Sequence, residues 1–96
     1  AMGGMPMEMA PRAAKDAGLN IPTAGFDLTK KILTNILEGK SLATVDQQPY
    51  YQGAFTIMQL FNNKKYGLIP CDINTGGGIV DKSNAQIVLD LADTVR

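Results

Sequence analysis

The stretch GFDLTKKILTNILEGKSLATVDQQPYYQG, residues 25–53, decides how this chain folds. Its middle reads as a helix, because Ile32, Leu33, Ile36 and Leu37 recur at i, i+1, i+4 and i+5 on one face. Thr29 stands where an N-cap side chain accepts an amide hydrogen bond, and Gly39 ends the run. Just ahead, Ile21, Thr23, Ala24 and Phe26 make a short apolar strand that stops at Asp27. Just behind, SLATVDQ (41–47) is a second strand, and Pro49 opens a longer helix through Tyr66 with Gly67 as its stop. Strand, helix, strand, helix in this order means parallel strands joined by right-handed crossovers.

Outward from this unit the alternation continues. Pro6 and MEMAPRAAKDAG (7–18) predict a helix that starts near Met7 or Glu8, with Gly18 as its stop. Pro11 then lies close to the first turn; otherwise the helix begins later or kinks there. On the long helix, Tyr51, Ala54, Phe55, Met58, Leu60 and Phe61 form a buried stripe, while Asn62, Asn63, Lys64 and Lys65 face water. After LIPCDIN (68–74), TGGGIVDK (75–82) is a short strand weakened by three glycines. A last helix follows to Thr94, capped by Ser83 or Asn84. The fold class is therefore α/β, a three-layer parallel sheet with helices on both faces. Such a sheet usually has about five strands and only three are evident, while the chain opens on Gly3-Gly4 straight into a helix; it reads as a fragment.

Composition removes several classes of function. Ninety-six residues make one domain with a modest core. Nine basic and nine acidic residues cancel, and Lys30-Lys31 and Lys64-Lys65 are the longest like-charge runs, so no nucleic-acid or anionic-lipid partner is expected. Histidine is absent, which removes the commonest general base and metal ligand. The lone Cys71 forms no intrachain disulfide and leaves the redox compartment open. No apolar run approaches the roughly 18 residues of a membrane span, and AMGGMPMEMAPR (1–12) lacks the layout of an export signal. Neither membrane insertion nor an export address is expected in this stretch.

The polar groups of interest gather at strand exits, where open α/β sheets hold ligands. A carboxylate at Asp27 accepts hydrogen bonds from vicinal hydroxyls, as a sugar or polyol site requires; the plainer role is to favour the helix that follows. Gln47 and Gln48 leave the next strand, and alternation turns one of them to the crevice. An amide both donates and accepts, which suits a hydroxyl; ordinary loop polarity is the alternative. NTGGGIV (74–80) lacks the Gly-Lys-Ser/Thr ending of a phosphate loop and reads as a flexible strand or hinge. The aromatics of 50–66 and the early methionines read as packing residues. No carboxylate pair, nucleophile–base pair or metal-ligand set stands out, so no catalysis, metal or cofactor is expected.

At GFDLT (25–29), EGKSLATVDQQPYYQGAF (38–55) and KKYGLIPCDINTGGGIVDKSN (64–84) the chain resembles the periplasmic sugar-binding proteins of bacterial ABC transporters, the ribose/galactose type with two α/β lobes. The pairing of DQQPYYQG with TGGGIVDKSN about thirty residues on carries most of the likeness, which covers nearly the whole chain. It implies a C-terminal portion of a type I periplasmic binding protein. Residues 1–48 would then be the second half of the C-terminal lobe, 49–74 a hinge crossing with a helix of the N-terminal lobe, and 75–96 a return strand and last helix of the C-terminal lobe. It implies Asp27 and Gln47 as ligand-binding residues, a third polar group replaced here by Gly3-Gly4, a sugar or polyol held between lobes that close on it, and an ABC transporter permease as partner in the periplasm. A lactose-repressor-type effector-binding domain shares that fold and is the alternative. A third reading is a structural piece that binds no ligand and pairs with the remaining part of its parent or with copies of itself.

Overall fold

The computed structural model describes residues 1–94. Val95 and Arg96, which close the expected third segment, lie outside the described residues. The elements are α1 (Gly4–Asp16), β1 (Ala24–Phe26), α2 (Lys30–Leu37), β2 (Ala43–Asp46), α3 (Pro49–Tyr66), β3 (Gly78–Asp81) and α4 (Ala85–Asp90). The α/β alternation is the one read from the sequence, and the element bounds differ mainly at α1 and α4.

Helix α1 begins at Gly4, earlier than expected, and carries Pro11 inside it. The proline removes an amide that would have bonded the Met7 carbonyl, yet the helix continues, because Met7 is fully buried and anchors it to the core. Helix α2 is capped as read: Thr29 Oγ1 accepts from Ile32 N at 3.2 Å. The same hydroxyl donates to Glu8 Oε1, which ties α2 to α1. Asn84 does cap α4 by position, but its side chain turns back to β3, accepting from Asp81 N at 2.9 Å and donating to Ile79 O at 3.1 Å.

The sheet has strand order β1-β2-β3. β1 and β2 are parallel, with Ala24, Gly25 and Phe26 opposite Ala43, Thr44 and Val45. β3 runs antiparallel to β2, which corrects the expectation of parallel strands throughout. The cause lies in α3. A crossover helix makes the next strand parallel only if it packs back along the sheet, and α3 buries no residue. Its 18 residues carry the chain about 27 Å away. The chain extents of 58 × 25 × 17 Å record that departure. Irregular residues 67–77 bring the chain back to the edge it left, so β3 must run the other way.

One core holds the rest together: Met7, Ile32, Leu33, Ile36, Val80, Ala85 and Val88 are buried, with Leu28, Leu37 and Leu89 against them. Val80 lies opposite Thr44 across β2 and β3, and directly opposed residues point to the same face, so α1, α2 and α4 cover that face. The other face bears the row Phe26, Val45 and Ile79, with Ile79 64% exposed. The expected helices on both faces are therefore found, among the described residues, as a layer on one face. The stripe expected to be buried on α3 is not: Tyr51, Met58, Leu60 and Phe61 are exposed and Ala54 and Phe55 half-buried.

Candidate functional site

Parallel strands β1 and β2 end side by side, and Asp27 and Gln47 leave them at the same edge. Gln47 Nε2 donates to Asp27 Oδ1 at 3.3 Å. Of the two glutamines, Gln47 is the one that turns to the carboxylate. Both predicted site residues are half-buried, so each keeps access to solvent.

The backbone that presents them is unusual. Asp27 (φ 79°) and Gln48 (φ 51°) are the non-glycine residues with left-handed φ among the described residues, and both stand at this edge. Such conformations cost about 1–3 kcal/mol and persist where the surroundings hold them. At Asp27 the hold is a ladder bond from its N–H to Val45 O, 3.2 Å, and a bond from Thr44 Oγ1 to its carbonyl, 2.8 Å. At Gln48 the hold is the buried Asp46, whose Oδ1 accepts from Gln48 N at 2.9 Å. That i to i+2 bond closes the turn into α3, which has no side-chain cap of its own.

The start of α1 completes the surroundings. A Cβ at Gly3 or Gly4 would meet Asp27 Oδ2 at 3.9 or 3.6 Å, so the two glycines lie against this carboxylate and leave its second oxygen uncrowded. Met2, Gly3, Phe26 and Gln47 line a hollow of about 320 Å³ there. The return of the chain meets the same place: Thr75 Oγ1 donates to Gln47 O at 3.1 Å.

A larger hollow of about 1240 Å³ lies elsewhere, among the end of α1, the loop before β1 and the end of α2. It is the less convincing site. It opens at the amino ends of the strands between solvated side chains such as Arg12, Lys15 and Lys40, whereas open α/β sheets bind at the carboxyl ends. Among the described residues no three His, Cys, Asp or Glu side chains converge as metal ligands.

Sequence reasoning missed three residues of this edge. Phe26, read only as a strand residue, forms a wall of the smaller hollow. Thr44 and Asp46, also read as strand, fix the backbone of Asp27 and Gln48. A signal for the last two was present: they fall on the inward face of β2, where period-2 alternation calls for apolar side chains, and both are polar.

The fold of this chain has known counterparts. No family model matches the chain. The xylose/arabinose-binding protein XylF of Sulfolobus acidocaldarius is 34% identical over 71 residues, which are 72% of this chain and 18% of that protein. A carbohydrate transporter from Acidothermus cellulolyticus, solved with myo-inositol, superposes with a TM-score of 0.85 at 32% identity, over 96% of this chain and 33% of the other. The Caulobacter myo-inositol binding protein shares the fold, with a TM-score of 0.75 at 23% identity over 92% of this chain and 31% of that one. The chain is similar, over most of its own length, to part of a type I periplasmic sugar-binding protein. It spans about a fifth of the curated relative it matches and about a third of the solved ones.

Proposed function

We propose that this chain is part of a solute-binding receptor that captures a sugar or polyol between two lobes in the periplasm and delivers it to an ABC transporter permease, without catalysis. The observation that carries the reading is the Gln47–Asp27 hydrogen bond at the carboxyl edge of β1 and β2, beside an open hollow. Asp27 offers carboxylate oxygens to vicinal hydroxyls, with Oδ2 uncrowded beside the two glycines. Gln47 both donates and accepts, as a hydroxyl needs. Phe26 supplies an apolar wall for the C–H face of a ring. The relative named for xylose/arabinose and the carbohydrate transporter solved with myo-inositol support a hydroxyl-rich ligand of this size class.

In this reading residues 1–48 belong to the C-terminal lobe, 49–74 cross the hinge into the N-terminal lobe, and 75–96 return. The departure of α3 from the core and the return of Thr75 beside Gln47 support that division. A ligand touching both lobes favours the closed form and shifts the population towards it. The uncovered side of the sheet and the apolar side chains of α3 await the remaining part of the receptor, or a second copy where that part is missing. The repressor-type alternative shares this architecture; the relatives' names weigh towards transport.

Calorimetric titration of the whole receptor with pentoses, hexoses and polyols tests the proposal. Saturable binding is expected for at least one, and Asp27→Ala should weaken it by about 1.5–3 kcal/mol, the worth of hydrogen bonds to a charged group. Unchanged affinity removes Asp27 from the site, and absence of binding across the panel overturns the receptor reading.

A further inference from the structure

We infer that Thr75 and Gly76, on the return segment, are positioning residues that hold the Gln47 amide at the ligand edge. The inference rests on the sugar-binding reading of that edge and adds residues which touch no ligand themselves.

Three contacts meet at the Gln47 backbone. Its carbonyl accepts from Thr75 Oγ1 at 3.1 Å and from Gln52 Nε2 at 2.9 Å, one from the return segment and one from α3. The two crossings between core and α3 are thus fastened to each other at the residue whose amide reaches Asp27. Gly76 makes the approach possible. A Cβ there would overlap the Asp46 carbonyl oxygen and lie 2.8 Å from Gln47 Cα and 2.9 Å from its carbonyl carbon. These are backbone atoms, so no rotamer change relieves the overlap. Any side chain at 76 must push the return segment and residues 46–47 apart. Gly77 and Gly78 would meet nothing within 4 Å, so the requirement belongs to one of the three neighbouring glycines.

The consequence is directional. Gln47 begins where Asp46 ends, and the Asp46 carboxylate holds the left-handed Gln48 next to it. Displacing this short backbone moves the Gln47 side chain, whose bond to Asp27 is already long at 3.3 Å. Asp27 is fastened separately, through Thr44 and Val45. Change at 75 or 76 therefore disturbs the amide while leaving the carboxylate in place.

The test is a double-mutant cycle in the whole receptor, with myo-inositol and D-xylose as probes, and NMR of the Gln47 side-chain amide without ligand. Gly76→Ala should weaken probe binding about tenfold when Gln47 is present and less than about twofold in the Gln47→Ala background, because the effect passes through that amide. Thr75→Val should cost about threefold and Thr75→Ser should restore it. Gly77→Ala, at an open position, should leave binding unchanged. Without ligand, Gly76→Ala and Thr75→Val should each shift the Gln47 amide resonances and speed their exchange with water. Equal losses in both backgrounds, or an amide signal unmoved by both variants, would overturn the inference. If neither probe binds any variant, the sugar-binding reading fails and the ligand-free amide measurement still decides this one.

Discussion

Replacing Thr44 by valine isolates what holds Asp27 in its left-handed conformation. Thr44 is 1% exposed on β2, and its hydroxyl has one proton to give: Asp27 O lies at 2.8 Å and Gly25 O at 3.3 Å, so the first is the main acceptor. Valine conserves the shape, so no cavity contributes. The net loss for one such bond is about 0.5–1.5 kcal/mol, rising towards about 3 kcal/mol if the abandoned carbonyl stays dry. Asp27 is half-buried, which lets water reach its carbonyl and keeps the cost near about 1 kcal/mol. That amount is comparable with the strain of the residue itself, about 1–3 kcal/mol. Removing the bond should therefore let Asp27 leave its position for a larger share of the time and weaken sugar binding roughly fivefold, the equivalent of about 1 kcal/mol. Urea unfolding monitored with calorimetric titration of the whole receptor reads both quantities. Stability and affinity both within about 0.5 kcal/mol of the unmodified protein, the ordinary range for an inconsequential substitution, would refute the argument.

Thr29→Ala removes the cap of α2 and its link to Glu8, and should destabilise the fold by about 1 kcal/mol, with Thr29→Ser restoring it; a thermal midpoint unaltered by the alanine would count against the cap. The Ser83 hydroxyl, followed by the Ser83 N–H, hydrogen-bonds the carboxylate of half-buried Asp81 and holds its pKa below the ordinary aspartate value, against a slight opposing effect of burial. Because the folded-state pKa is lowered, the stabilisation is present above the unfolded-state pKa and disappears as pH falls through the folded one. Ser83→Ala should move the titration of Asp81 upward, read from its carboxyl carbon by NMR, and an unmoved midpoint contradicts the assignment. In isolation the chain should self-associate through its uncovered apolar side chains, giving a sedimentation coefficient that grows with concentration; one monomeric species throughout would show that those surfaces tolerate water.

Local signals were legible wherever a short stretch settles its own conformation. The face at Ile32, Leu33 and Ile36 and the Thr29 cap fix α2, and Pro49 and Gly67 bound α3. Asp27 and Gln47 could be placed on one edge because both follow parallel strands, a consequence of the crossover through α2 alone. What escaped depends on distant parts of the molecule. The direction of β3 follows from whether α3 packs on the sheet, and its apolar spacing looks the same whether a partner surface is present or absent. The start of α1 at Gly4 escaped because two prolines argued for a later or broken helix, while burial of Met7 outweighed the one missing backbone bond. The polarity of Thr44 and Asp46 on the inward face of β2 marked them as unusual, but their partners, Asp27 O and Gln48 N, are in reach only with left-handed backbone, which that polarity does not announce.

The distribution of apolar side chains explains why the edge and the rest of the chain behave differently. Seven apolar residues are buried in the core formed by α1, α2, α4 and Val80, while nineteen large apolar residues among those described are exposed. Ile57, Met58, Leu60 and Phe61 on α3 and Leu68 and Ile69 beyond it belong to the second group, as does Ile79 on the bare face of the sheet. Burying a side chain of this size contributes about 1.5–3 kcal/mol, so a partner that covers even a few of them adds as much as a small domain's whole stability. The Asp27–Gln47 edge draws on the other group: Thr44 lies over the packed face, and Asp27 is bonded to it. The carboxylate thus stands on the part of the chain that is already folded, while Gln47, fastened to both crossings, stands at the border with the part that needs covering. Whatever covers α3 is therefore coupled more directly to the amide, through Gln52 and Thr75, than to the carboxylate, which is held from the packed core by Thr44 and Val45.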